Sequence, residues 1–297
     1  MAILAEAEAT AKPKPLANCG HRCEHEGRDH RANAMDRQLL FICVLTFVIY
    51  LIGTLAYSVR TRRIAVSFAR FSVLVLVSRT SNSFLGPFLA KRVESGIGKP
   101  AAASLLLTDF RWLLVAAALA TIVGALLIPT FQRLFCRAVL HFQVHRSIPK
   151  LMLHAVFKGG LSHMRTDAAV PRAANVSAMR HGGSVSVGVT ALNVVAVALW
   201  TVGVFAALYA GVLDPAVRVT SSTLSSIING GATIMMALFI DPHMSGLTDD
   251  VIDGRVSEQS FRRAVVWLVA SRFAGTLLAQ ALLLPSALLI VVVAKAL

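Results

Sequence analysis

The sequence predicts an all-α fold, a polytopic membrane bundle of six transmembrane spans in which the two halves form an inverted three-plus-three repeat. Three observations lead there. Hydrophobic residues fill 56% of the 297 positions and charged residues 15%, and the mean hydropathy is +0.69, which is the composition of a membrane protein and not of a soluble domain. Six apolar runs follow one another, each long enough to cross roughly 30 Å of hydrocarbon at about 1.5 Å per residue. The third and sixth runs also align with each other, as described below.

Residues 1–38 are polar and rich in Ala, Pro and His. No basic stretch leads into an apolar core, so a signal peptide is not expected. The reading is a disordered polar tail. Its CGHRCEHEGRDH stretch offers Cys19, His21, Cys23, His25 and His30 as zinc- or copper-type ligands, but their spacing fits no common metal pattern. No metal site or cofactor is therefore assigned. The two remaining cysteines, Cys43 and Cys136, do not complete a disulfide framework.

The transport domain is expected over residues 39–297, with apolar runs at about 39–58, 64–90, 110–131, 185–213, 218–241 and 264–294. The last is longer than a straight crossing needs, and Pro285 marks a kink or an emergence at the interface. Between the third and fourth runs lies a connection, 132–184. Its first part sets Phe131, Leu134, Phe135, Ala138 and Phe142 on one helical face and Arg133, Arg137, His141 and Arg146 off it, which suits a helix lying in the membrane surface. His141 and His145 stand four apart but lack a third ligand.

The chain carries 29 Lys and Arg against 15 Asp and Glu. Much of the excess lies in loops, where anionic headgroups attract it, so nucleic acid is not the expected partner and membrane lipids are. Fourteen basic residues flank the spans on one side, from Arg60 to Arg63, Arg133 to Arg180 and Arg255 to Arg263, against six in the loops and C-terminus on the other, to which the tail adds six more. The positive-inside rule then puts both termini outside.

Within this frame the arginines inside the spans stand out. Arg79 sits in FSVLVLVSRTSNSFLGPF, and the same Ser-Arg dipeptide returns as Ser271-Arg272 in WLVASRFAGTLLAQALLLP. An arginine at the bilayer centre costs about 2.5 to 3.5 kcal/mol on insertion scales, so such residues face a bundle interior or a wet cavity. No Asp or Glu occurs between Asp36 and Glu94, between Asp167 and Asp214, or after Glu258. Arg79, Arg272 and Arg70 thus have no acidic partner in their spans, and an anion or water is expected to fill the gap. A guanidinium fork suits phosphate bidentately.

Polar residues at helical spacing extend the candidate substrate site to Asn82 in the second span, Arg218, Ser226 and Asn229 in the fifth, and Thr276 and Gln280 in the sixth. Packing glue between membrane helices is the plainer reading of any one stripe. Given one inserted residue, Phe110 onward aligns with Val266 onward, putting Trp112 on Trp267, Thr121 on Thr276 and Pro129 on Pro285. With three spans per half, such a repeat is inverted, as in transporters whose site lies where the halves meet.

The segments LIGTLAYSVRTRRIAV, VLVSRTSNSFLGPFL, GALLIPTFQRLF, RSIPKL, SSIINGGATIMMALFIDPHMSGLTDDVIDG and ASRFAGTLLAQALLLPSA resemble the Amj family, lipid II flippases named as the alternate to MurJ. The resemblance runs from about residue 39 to the end. It implies export of the undecaprenyl-pyrophosphate-linked peptidoglycan precursor, lipid II, across a bacterial plasma membrane, with no catalytic residues. The rival expectations are an enzyme acting on a polyprenyl pyrophosphate and a cell-wall scaffold. The enzyme would draw on Asp241, His243, Asp249, Asp250 and Asp253, placed in a loop after the fifth span, although Thr248 followed by two aspartates also reads as a helix start.

Overall fold

In the computed structural model the described residues are 20–56, 84–97, 101–145 and 185–297. They divide into a unit ending at Leu40 and a unit Phe41–Leu297. Within the first, the described residues form the N-terminal part of a helix, α1, Gly20–Leu55. That helix starts well before the apolar run it contains, so residues 20–38 of the expected tail are helical. The side chains of its Cys and His cluster lie outside the described residues.

The second unit holds the remaining elements. They are α2 (residues 84–96), α3 (Ala102–His145), α4 (Val187–Leu213), α5 (Arg218–Met235), α6 (Asp241–Ile252) and α7 (Glu258–Ala296). All described regular structure is helical. Five helical stretches are long and apolar enough to cross a membrane: Arg37–Leu55, Ala102–Arg133, Val187–Leu213, Pro215–Val251 and Gln259–Ala296. Of the expected second span, residues 64–83 lie outside the described residues, and only its end appears, as α2.

Two boundaries differ from the sequence reading. The third span and the expected surface helix form one element, because α3 runs on through Pro129 to His145. The stretch after the fifth span is not a loop either. A π-turn, Met236–Ile240, joins α5 to α6 without a break, its Asp241 N–H donating to the Met236 carbonyl. Thr248 is therefore no helix start: its hydroxyl donates to the Met244 carbonyl at 2.6 Å, inside α6. The acids close the helix instead of opening it. Arg255 pairs with Asp250 at 3.3 Å and with Asp253, and Gly254, at φ +72°, makes the turn that brings it back. These carboxylates hold the Arg255 guanidinium above its ordinary pKa, with the hydrogen bond to Asp253 contributing most.

Side-chain pairs fix the helix directions. Asn193 meets Leu268 and Ser271, while Asp214 meets Lys295 at 2.7 Å, so α4 and α7 run parallel. Gly203 lies against Asn229 and Gly211 against Arg218, so α5 runs back along α4. Gln280 bonds the Arg111 carbonyl, while Ile128 clusters with Phe261, Val265 and Leu268, so α3 runs antiparallel to α7. Phe110 stacks on Phe205 and Tyr209 at 5.7 and 6.2 Å between centroids, which sets α3 antiparallel to α4 as well. The ends of α3 and α4 that flank the 146–184 connection consequently lie on one membrane face, together with the α6–α7 turn.

Close packing rests on small residues at two crossings. A Cβ on Gly275 would stand 2.8 Å from the Val194 carbonyl and 2.8 Å from Val197 Cβ. One on Gly124 would stand 2.7 Å from Thr54 Cβ. In a bundle without hydrophobic drive between helices, such approaches supply the dispersion contacts that hold spans together. At one end of α3 a different device operates, since Arg92 Nε and Nη2 reach Asp109 Oδ2 at 2.9 and 2.8 Å.

Candidate functional site

The sixth span presents Arg272 thirteen residues in from Gln259, roughly 20 Å along the axis at about 1.5 Å per residue. That places a guanidinium well along the helix, away from its charged start at Arg262 and Arg263. Its Cζ lies 5.8 Å from the centroid of the Tyr50 ring on α1, within the roughly 6 Å range of a cation–π contact. The side chain is half-buried, and its Nε is buried without a hydrogen-bond partner. Among the described residues, no carboxylate pairs with it.

Tyr50 is itself buried, and its hydroxyl approaches Thr201 on α4, at a geometry short of a hydrogen bond. One turn earlier on the same face of α1, Thr46 is fully buried with its hydroxyl unpartnered. Next to the arginine, Ser271 accepts from Asn193 Nδ2 at 2.6 Å and donates to the Leu268 carbonyl at 2.9 Å. Asn193 Nδ2 also donates to that carbonyl at 3.2 Å, which leaves its Oδ1 buried and unpartnered. Three helices thus bring a cation, a ring face and several unsatisfied polar atoms into one stretch of the bundle. Buried groups of this kind are ordinarily satisfied, and their clustering marks a place for water or a ligand.

The other predicted residues separate into groups. Arg70, Arg79 and Asn82 lie outside the described residues. Thr276, one turn beyond Arg272, is fully buried and returns its hydroxyl to the Phe273 carbonyl at 2.7 Å, which is the packing role. Gln280 ties α7 to the Arg111 carbonyl of α3 at 3.2 Å. Ser226 is exposed on α5. Asn229 faces Gly203, where an added Cβ would stand 2.6 Å from its Oδ1, and that oxygen is buried and unpartnered. Arg218 stands at the start of α5, folded over Gly211 with its Nε buried and unpartnered, so it belongs to the end of the span and not to the level of Arg272.

Sequence reasoning missed two pairings. Tyr50 follows Thr46 by one helical turn in the first apolar run, but nothing local in the sequence pairs it with Arg272, 222 positions away. Arg92 reads as a loop cation, whereas it is 5% exposed and paired with Asp109. The available signal was Asp109 itself, a lone carboxylate directly before an apolar run, for which a buried partner is the expected solution.

A family model described as "Alternate to MurJ" matches residues 45–294. A protein of Bacillus subtilis (strain 168) named Lipid II flippase Amj is 36% identical over 268 residues, which cover 86% of this chain and 96% of that protein. No solved structure matches the chain. With most of both chains aligned and the membrane spans inside the matched region, this protein belongs to the Amj family.

Proposed function

We propose that this chain is a multi-pass flippase of the bacterial plasma membrane that moves lipid II from the inner to the outer leaflet, and that Arg272 is part of the site that takes the pyrophosphate. It is a transporter and not an enzyme. The name of the Bacillus subtilis relative supports the substrate. The observation that carries the site is Arg272, a guanidinium deep in the bundle with a buried, unpartnered Nε and a ring, not a carboxylate, beneath it. A charge in that setting is strongly unfavourable unless something anionic or water answers it.

The predicted partner arginine Arg79, with Arg70 and Asn82, completes the site in this reading, while Arg218 and Asn229 line the route along α5. The antiparallel course of α3 and α7 supports an inverted repeat, as does the matched burial of Thr121 and Thr276. The face shared by the 146–184 connection and the α6–α7 turn is the cytoplasmic one, by its excess of basic residues. An inside-negative potential then favours export of an anion by about 2.3 kcal/mol per charge per 100 mV, without a coupled ion.

The test is rescue of cells depleted of their principal lipid II flippase, with outer-leaflet lipid II measured for each variant. Arg272→Met is expected to insert in the membrane and fail to rescue. Arg272→Lys should rescue in part, because an ammonium keeps the charge and loses the fork. Asp249→Asn with Asp250→Asn should keep most of the activity. Full rescue by Arg272→Met would refute the cationic site, and no rescue by the unmodified protein would refute the flippase.

A further inference from the structure

We infer that Tyr50 is the positioning residue of the anion site: it holds the Arg272 guanidinium by its ring face and so leaves the N–H donors open for a phosphate. The inference rests on the reading of Arg272 given above and adds how that cation is kept available. Two arginines in this protein, Arg92 and Arg272, are answered in opposite ways. Arg92 spends its Nε and one terminal nitrogen on Asp109 Oδ2, which neutralises it and blocks the edge an oxyanion would use. Arg272 has a buried aromatic ring 5.8 Å from its Cζ instead. A ring attracts the cation through its quadrupole and leaves every donor of the fork available.

The hydroxyls around Tyr50 point the same way. Three other buried threonines satisfy themselves on their own helices: Thr54 donates to the Tyr50 carbonyl at 2.8 Å, Thr121 to the Ala117 carbonyl at 2.9 Å and Thr276 to the Phe273 carbonyl at 2.7 Å. Thr46 and Thr201 do not. Both are buried, both flank Tyr50, and both leave Oγ1 without a partner. A fully buried hydroxyl that forgoes an available backbone carbonyl is an unmet donor. Around one ring there are thus two unmet hydroxyls and a guanidinium whose buried Nε has no hydrogen-bond partner, and no competing carboxylate among the described residues. The ligand chemistry this accommodates is a phosphate-bearing lipid whose chain leaves between helices.

The experiment uses the full chain in lipid nanodiscs, with farnesyl pyrophosphate as the probe and farnesol as the control, alongside rescue in cells. Tyr50→Phe is expected to bind the probe within about twofold of the unmodified chain and to rescue. Tyr50→Leu should bind about tenfold to thirtyfold more weakly, the range of a desolvated cation–π contact. Its melting temperature should stay close to that of Tyr50→Phe. Tyr50→Met replaces it if Tyr50→Leu is not recovered from the membrane. Adding Arg272→Met to Tyr50→Leu should weaken binding no further than Arg272→Met alone, because the ring acts only through the arginine.

Wild-type affinity in Tyr50→Leu would overturn the inference. So would equal losses in Tyr50→Phe and Tyr50→Leu, or losses that multiply in the double variant. An unmodified chain that rescues without binding the probe overturns the positioning role alone. One that does neither removes the flippase reading, and the role of Tyr50 with it.

Discussion

The pair Arg92–Asp109 allows the most direct test of how this bundle treats buried charge. Its side chains are 6% and 15% exposed, with the near nitrogen 2.8 Å from the carboxylate oxygen. At an effective dielectric constant of about 20, charges about 4 Å apart attract by roughly 4 kcal/mol, close to what their desolvation costs. The pair as a whole is therefore nearly neutral for stability, and either partner alone is a liability. Asp109→Leu removes the carboxylate that both Nε and Nη2 of Arg92 reach, and about 3 to 5 kcal/mol should be lost. Arg92→Met leaves a mostly buried carboxylate without this partner and should cost a similar amount. The double variant should recover most of the stability. The assay is thermal unfolding of the detergent-solubilised chain, followed by size-exclusion chromatography after heating. Losses in the two single variants that simply add in the double one would refute the argument, as would an Asp109→Leu protein within about 1 kcal/mol of the unmodified one.

Two further outcomes follow from packing and titration. Gly275→Ala, which drives a Cβ to 2.8 Å from the Val194 carbonyl, should cost about 1 to 3 kcal/mol in melting experiments, whereas Gly230→Ala, with nothing within 4 Å, should melt no lower than the unmodified chain; equal melting of the two variants would sink the packing argument. Asp214 is held below its ordinary 3.8 first by the hydrogen bond from Lys295 and then by the Ala216 N–H, so its contribution is complete above the ordinary carboxylate range and is lost as pH falls through the lowered value. Lys295→Met should move that loss to higher pH in a melting profile, and an unchanged profile would show that the contact does not hold the charge.

Much of this fold was legible because hydropathy is local. The runs at 110–131, 218–241 and 264–294 each fall within a described span, the run at 185–213 meets one that begins two residues later, and the run at 39–58 overlaps one described as far as Leu55. What sequence could not supply were relations between distant residues. Tyr50 and Arg272 meet only because α1 and α7 pack at that level. Thr248 followed by Asp249 and Asp250 carries a helix-start signal that the helix entering from the π-turn overrides, since a continuing backbone already occupies the Thr248 hydroxyl with the Met244 carbonyl. The stripe Arg272, Thr276, Gln280 keeps its spacing but not a common environment: the first meets a ring, the second its own helix and the third the backbone of α3. Helical periodicity fixes a face, and the neighbour opposite each turn decides what that face does.

The π-turn at Met236–Ile240 acts as a phase shift within a single rod. One extra residue per turn rotates everything after it by about 100° relative to an uninterrupted α-helix. Before it, α5 shows Val219, Ile227 and Ile234 to the surroundings. Ile240 at its end and Met244 beyond it enter the core with Ile128, Phe261 and Leu268. The same chain can thus be exposed at one depth and core-facing at the next. Each segment can answer to its own neighbours, α5 to α4 and α6 to the ends of α3 and α7, while Pro242, which has no N–H to donate, sits where the ladder changes its spacing.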